Sequence, residues 1–243
     1  MQTNVTAPQS HRQSHNETFL QGVKDCVPTL LGYLSIGFAA GVVEKTAGLS
    51  IAEIALLSVL LYAGSAQFIF AGMIGASASV TGIIFTIFFV NLRHILLSAA
   101  LSPYFRHLSP IKNILIGSLL TDETFGVASN NTAGRQYLSE RWMHGLNVTA
   151  YLNWIAANIA GAYLGQWITN PEKFGLDFAL PAMFIGLLVL QMASRGKIAV
   201  DIVVALSAVV IVVVMNMMSF GSVSIIAATI LASTIGMVIG KWR

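Results

Sequence analysis

From Cys26 onward the chain is written in long apolar blocks separated by short polar breaks. Eight apolar segments can be drawn, at about 26–43, 51–75, 80–102, 111–131, 143–168, 178–194, 198–214 and 217–240, and the breaks between them collect glycine, proline, serine and charge. Blocks of this length fit helices that cross ~30 Å of hydrocarbon with ~20 residues each. A membrane barrel needs lipid-facing apolar residues alternating with lumen-facing polar ones, and these blocks lack that alternation. The pattern predicts an all-α, polytopic membrane protein of about eight spans, with seven as the alternative count. A polar cytoplasmic tail, residues 1–24, precedes a single transmembrane domain, residues 25–243, and no separate soluble domain is visible.

Composition sharpens this reading. Of 243 residues 56% are hydrophobic and only 9% charged, with a mean hydropathy of +0.75, against ~25% charged residues in an ordinary soluble domain. Such a chain cannot cover itself with polar surface. The formal net charge is +3, but lysine and arginine stand singly and form no basic stripe, which argues against nucleic acid as a partner and for a role in topology. With both termini cytoplasmic, Arg12, Lys24, Arg135, Arg141, Arg195, Lys197, Lys241 and Arg243 fall inside, and Lys45, Arg106, Lys112 and Lys173 outside. The loop holding Arg106 and Lys112 fits poorly unless the second segment is re-entrant or broken. The first apolar stretch outruns a signal peptide and lacks a small-residue cleavage site, so it is expected to be retained.

The second segment contains YAGSAQF, Tyr62 to Phe68, where Gly64 and Ser65 weaken the helix and Gln67 adds an amide at membrane depth. A break is expected at Gly64–Gln67. Unwound backbone is tolerated in a membrane only where protein or a water-filled cavity satisfies it, and transporters often place such breaks at substrate sites; a packed kink is the alternative. Small residues recur in GFAAG (Gly37, Gly41), GAYLG (Gly161, Gly165) and GMVIG (Gly236, Gly240), as close helix packing requires.

Polar groups inside apolar runs are the candidates for chemistry. FTIFFVNLRHILLSA, residues 85–99, sets Asn91, Arg93 and His94 in its middle. Arg93 cannot shed its charge, so its helix must face protein or water there. Asn91 and His94 share one face and Arg93 points elsewhere. The obvious counter-charges are Asp122 and Glu123 in SLLTDETFG. If one stays ionised against Arg93, its neighbour can carry a proton, which would suit proton coupling; the other reading is a clasp between two helices with the second carboxylate at the helix end. His94 could relay protons or serve as a hydrogen-bonding residue. Asn147, Tyr151, Trp154 and Asn158 lay an amide and aromatic stripe along the fifth segment, suited to lining a cavity or, for the aromatics, to anchoring at the interface. In GLDFALPAMFIGLL, Asp177 stands where an N-cap would and Pro181 in the first turns.

Catalytic and metal motifs are missing: there is no HExxH, no GxSxG, no Gly-rich phosphate loop and no Cys/His ligand set. Cys26, the one cysteine, rules out an intrachain disulfide, and His11 and His15 lie in a polar tail with a disorder signature. An enzyme, a metal site and a cofactor are therefore not expected.

Together YAGSAQF, VNLRHILLSAALSP, LTDETFG and GLDFALPAMFIGLL, in this order and spacing, resemble the AzlC family, also called YgaZ. The resemblance runs from about Phe19 to Arg243. It implies the large subunit of a two-component exporter of branched-chain amino acids, with methionine for some members. The partner it implies is a small hydrophobic membrane subunit of the AzlD, or YgaH, type, and the place the bacterial inner membrane. The matching motif residues are Gly64, Ser65, Ala66 and Gln67, then Asn91, Arg93 and His94, then Thr121, Asp122 and Glu123, then Asp177 and Pro181. One departure is GYLSIGF, where Ser35 and Ile36 replace the family's proline context and leave the kink of the first helix open. The expected site places Gly64, Ser65, Gln67, Asn91 and Arg93 on the substrate and Asp122, Glu123 and His94 in proton coupling or an ion pair. Tyr62, Asn147, Tyr151, Trp154, Asn158 and Pro181 would line the cavity. The alternative function is a non-transporting scaffold whose polar pairs only hold helices and recruit a partner.

Overall fold

The computed structural model describes residues 17–167, scattered positions between 173 and 192, and then 198–218 and 223–241. All regular structure among the described residues is helical. Two compact units divide the chain, residues 1–185 and 186–243.

In the first unit, α1 (Phe19–Thr46) and α7 (Glu140–Gly165) are the two longest helices, and they are pressed together along their whole length. Glycine makes this possible. A Cβ on Gly41 would stand 2.1 Å from the Asn158 carbonyl oxygen, one on Gly161 2.1 Å from that of Phe38, and one on Gly145 2.1 Å from that of Phe19. Without side chains there, two backbones approach to van der Waals contact. Low-numbered residues of α1 meet low-numbered residues of α7, Phe19 facing Gly145 and Val42 facing Gly165, so the helices run parallel. Their amino ends are tied by the Arg135–Glu17 ion pair and by Ser139 Oγ donating to the Glu17 carbonyl at 2.9 Å. α1 passes unbroken through Pro28 and through Ser35 and Ile36.

The rest of the topology follows from where the connections meet this pair. α4 (Val80–Leu101) ends in a 3-10 turn, Ser102–Phe105. Beyond it the Leu138 amide donates to the Tyr104 carbonyl at 3.2 Å and the His107 and Tyr137 rings meet edge to face at 5.1 Å. The end of α4 therefore lies beside the amino ends of α1 and α7, and α4 runs opposite to both. α2 (Ile51–Leu60) and α3 (Gly64–Gly75), which connect the far end of α1 to the start of α4, consequently begin and finish at the same end. α5 (Pro110–Ser118) and α6 (Asp122–Asn130) likewise begin and finish at the other. Both pairs are re-entrant hairpins. Their members have 10, 12, 9 and 9 residues, and at ~1.5 Å per residue each reaches about half-way through a hydrocarbon core.

Two of the eight apolar segments, the second and the fourth, are therefore helix pairs that each turn back toward the end they left. The reason is local. Tyr62 takes a left-handed backbone, φ 37°, and Ala63 an extended one, φ −147°, so the break falls at Leu61–Ala63 and Gly64–Gln67 form the first turn of α3. In the fourth segment Thr121 caps α6 through a capping box with Thr124 and starts a new helix where the apolar run suggested continuity. Re-entry also resolves the awkward basic loop. Lys24, Arg106, Lys112, Arg135 and Arg141 gather at the end holding the α1 amino terminus, where Lys112 pairs with Glu140 at 2.7 Å, and Lys45 lies at the opposite end.

Helix then hairpin, α1–α2–α3, is repeated in the opposite orientation by α4–α5–α6, with Ser50 and Ser109 as corresponding N-caps before the hairpins. This is an inverted repeat, with α7 closing it. In the second unit α8 (Ile198–Met217) and α9 (Val223–Lys241) pack together, with Gly236 against Val204. By length and composition, α1, α4 with its 3-10 turn, and α8 suffice to cross a membrane.

Because the seam tolerates no Cβ, Gly161→Val should lower the melting temperature of the detergent-solubilised protein sharply, overpacking costing about 1–3 kcal/mol or more. Gly72→Ala, with open space around the added carbon, should leave it unchanged or slightly raised.

Candidate functional site

The two hairpin tips meet at one small pocket. Tyr62, Ala63 and Gly64 line it from the α2–α3 tip, Thr121, Asp122 and Glu123 from the α5–α6 tip, Arg93 and His94 from α4, Tyr33 from α1 and Trp154 from α7. Its cavity volume of about 10 Å³ is room for roughly one water.

The tips present opposite chemistry. α3 starts at Gly64, and its N-cap residue Ala63 offers no side-chain cap, so the start of the helix is left for whatever the pocket holds. α6 is capped by Thr121 and carries two carboxylates in its first turn. Asp122 is taken by Arg93, whose Nη1 stands 2.8 Å from Oδ2. Glu123 accepts from the Tyr33 hydroxyl at 3.0 Å, and the same hydroxyl makes a short contact with Thr121 Oγ1. The adjacent acids are therefore separated in role: one sits in an ion pair between α4 and α6, the other faces α1. Trp154 forms the wall between the tips, its ring 3.0 Å from a Cβ built on Gly64 and edge-on to Tyr33 at 5.8 Å. Tyr62 is held in its left-handed backbone by an edge-to-face contact with Tyr151 at 4.7 Å.

Of the residues singled out in the sequence, Tyr62, Gly64, Arg93, His94, Asp122, Glu123 and Trp154 come together here. The others are placed elsewhere. Asn147 is buried and donates from Nδ2 to the Ile116 carbonyl at 2.9 Å, holding the α5–α6 hairpin to α7. Tyr151 donates to the Val59 carbonyl at 2.9 Å, doing the same for α2–α3. Ser65 is buried behind the first turn of α3, and Asn91 lies outside the pocket lining. Pro181 is exposed, and Asp177 lies outside the described residues.

Gln67 and Asn158 belong to a separate buried cluster completed by Glu44 and Ser58, two residues the sequence reading passed over. Glu44 is the third residue from the end of α1 and looked like the first residue of a loop, because the apolar run stops at Val43. Tyr33 and Thr121 were also missed as a contact; the Thr-x-x-Thr spacing of 121 and 124 was the available sign that a helix begins there.

A second cavity, of about 600 Å³ and mostly apolar, opens between α4 and α5, with His94 on the wall common to both cavities.

The AzlC protein family model matches residues 28–168, which run from within α1 to just beyond α7 and so take in the whole pocket. The chain belongs to the AzlC family. Among relatives of this AzlC-family chain, the inner membrane protein YgaZ of Escherichia coli K12 is 29% identical over 188 residues, 75% of this chain and 77% of the relative. An uncharacterized membrane protein of Archaeoglobus fulgidus is 29% identical over 226 residues, 90% and 94% of the two chains. The branched-chain amino acid transport protein AzlC of Bacillus subtilis 168 is 27% identical over 174 residues, 70% and 66%. No solved structure matches. Membership supports a transport role in a membrane.

The Arg93–Asp122 pair gives a direct test of the geometry. Arg93→Gln and Asp122→Asn should each lower the stability of the solubilised protein by about 1–3 kcal/mol, since each removes one half of a partly buried ion pair. The double variant should cost clearly less than the sum of the two, read as a coupling in a double-mutant cycle of melting curves.

Proposed function

We propose that the chain is the large subunit of a secondary exporter of branched-chain and related neutral L-amino acids: valine, leucine, isoleucine and methionine. It works with a small hydrophobic subunit of the AzlD type in the bacterial inner membrane and draws on the proton gradient. The observation carrying this reading is the pairing of an uncapped helix start with a carboxylate across one pocket. A zwitterion has the complementary ends. Its carboxylate fits the uncapped start of α3 at Gly64 and the neighbouring guanidinium of Arg93, and its ammonium fits Glu123. The name of the Bacillus subtilis relative supports the substrate class.

A pocket with room for one water is a closed state, so the substrate enters only when a hairpin withdraws. Two hairpins reaching the same pocket from opposite ends supply two gates, and moving one at a time gives alternating access. The orientation follows from charge: the end gathering Lys24, Arg106, Lys112, Arg135 and Arg141 faces the cytoplasm. α2–α3 is then the outer gate and α5–α6 the inner.

Vesicles holding the chain with its small subunit and loaded with valine should release it faster than empty controls, and collapse of an imposed proton gradient should slow the release. Glu123→Gln should reduce efflux by about tenfold or more, the loss of one charge-assisted hydrogen bond to the ammonium. Absence of flux for all four amino acids, with both subunits present, would favour a scaffold that holds helices without transport.

A further inference from the structure

We propose that Glu44 is the site that carries the coupling proton, apart from the substrate pocket; this rests on the export reading above. Glu44 has no exposed surface, and its Oε2 has no hydrogen-bond partner among the described residues. Its Oε1 accepts from Gln67 Nε2 at 2.9 Å.

The direction of every bond around it is settled by one residue. An indole nitrogen can only donate, and Trp154 Nε1 stands 2.6 Å from the Gln67 side-chain oxygen, so the Gln67 amide must turn its Nε2 the other way. There it meets three acceptors: Glu44 Oε1 at 2.9 Å, Ser58 Oγ at 3.3 Å and Asn158 Oδ1 at 3.4 Å. Ser58 spends its own hydrogen on the Ile54 carbonyl, and Asn158 spends its amide on that of Trp154. Two hydrogens on Gln67 face three oxygens, so this cluster is one donor short. The Glu44 carboxyl thus shares one amide with two neutral oxygens, and its Oε2 is left with no donor.

Among the described residues of the helices packed around it, no cation supplies that donor instead. On α1 the neighbouring Lys45 reaches the Leu49 carbonyl at 3.2 Å. On α2 the only charged side chain, Glu53, is held by Ser50 at the helix start. α3, and α7 from Tyr151 to Gly165, contain no charged residue. A carboxylate enclosed with a single neutral donor is costly, and a proton on it removes that cost.

Position and connection make the group useful to transport. Glu44 lies near the α2–α3 end of the unit, so a proton from water at that end forms the Oε2–H bond. Return of the proton to water breaks the same bond and leaves a carboxylate. Gln67 is bonded to Glu44 on one side and to Trp154 on the other, and Trp154 is the wall against which Gly64, at the tip of the outer gate, is packed. The charge on Glu44 thus bears on the residue that positions that gate.

Difference infrared spectra of the purified protein between acid and alkaline pH test this without a flux assay. The carbonyl stretch of a protonated carboxylic acid should appear in the wild type and in Glu123→Gln, and should be missing from Glu44→Gln. Glu44→Asp, which keeps an acid, should retain a shifted band. The pH dependence of tryptophan emission should likewise be lost in Glu44→Gln and in Trp154→Phe. In vesicles Glu44→Gln should move valine at the same rate with and without a proton gradient. An unchanged infrared band in Glu44→Gln, or gradient-dependent flux in that variant equal to wild type, would overturn the proposal. Failure of the wild type to move any amino acid would tell against export and not against protonation of Glu44, which the infrared band judges alone.

Discussion

The backbone contact between α1 and α7 is the constraint from which the rest of the first unit follows. Glycines at their seam bring these two helices into backbone contact, and the parallel order this imposes fixes both ends of the unit. Once the amino ends of α1 and α7 lie together, the Tyr104–Leu138 bond forces α4 to run the other way, and two short helix pairs must each return to the end they left. α7 then meets both hairpins, through Asn147 on one and Tyr151 on the other, so the glycine seam also sets the depth at which the tips meet.

Much of this was legible in the sequence. Apolar blocks gave the helical class, and the GxxxG-type spacings of Gly37 and Gly41 and of Gly161 and Gly165 marked helices that pack closely, although which would pair with which needed the structure. The Arg93 problem pointed to Asp122 or Glu123, and the structure chose Asp122. Hydropathy could not distinguish a crossing helix from a hairpin, because both tips are built largely from apolar residues: Leu61, Tyr62 and Ala63 in one, Leu119 and Leu120 in the other. The turn is encoded in backbone conformation and capping. Glu44 escaped notice for a related reason. A charged residue at the edge of an apolar run reads as solvated, and only the three-dimensional placement of α3 across it makes it buried.

The polar interior is organised as two separate groups joined by one indole. Around the pocket stand the Arg93–Asp122 pair, Glu123 with Tyr33, and the start of α3. Above it lies the Glu44–Gln67–Asn158 group, sealed from the surface. Trp154 belongs to both, presenting its ring to the pocket and its Nε1 to Gln67. A side chain that can only donate imposes a sense of direction on the amide next to it, and hence on the acceptors beyond.

The half-length hairpins bear on how the chain is made. A ten-residue helix such as α2 is too short to be accepted by a bilayer as a crossing element, and its unsatisfied ends are costly in hydrocarbon. The residues that receive it, Tyr151 and Trp154, lie on α7 and leave the ribosome some ninety residues later, an interval read from the Val59–Tyr151 separation. Until then α1 and α4 can be threaded through the membrane, but α2–α3 has nowhere to settle. The hairpin α2–α3 thus depends for its packing on a helix that follows it in the chain by some ninety residues.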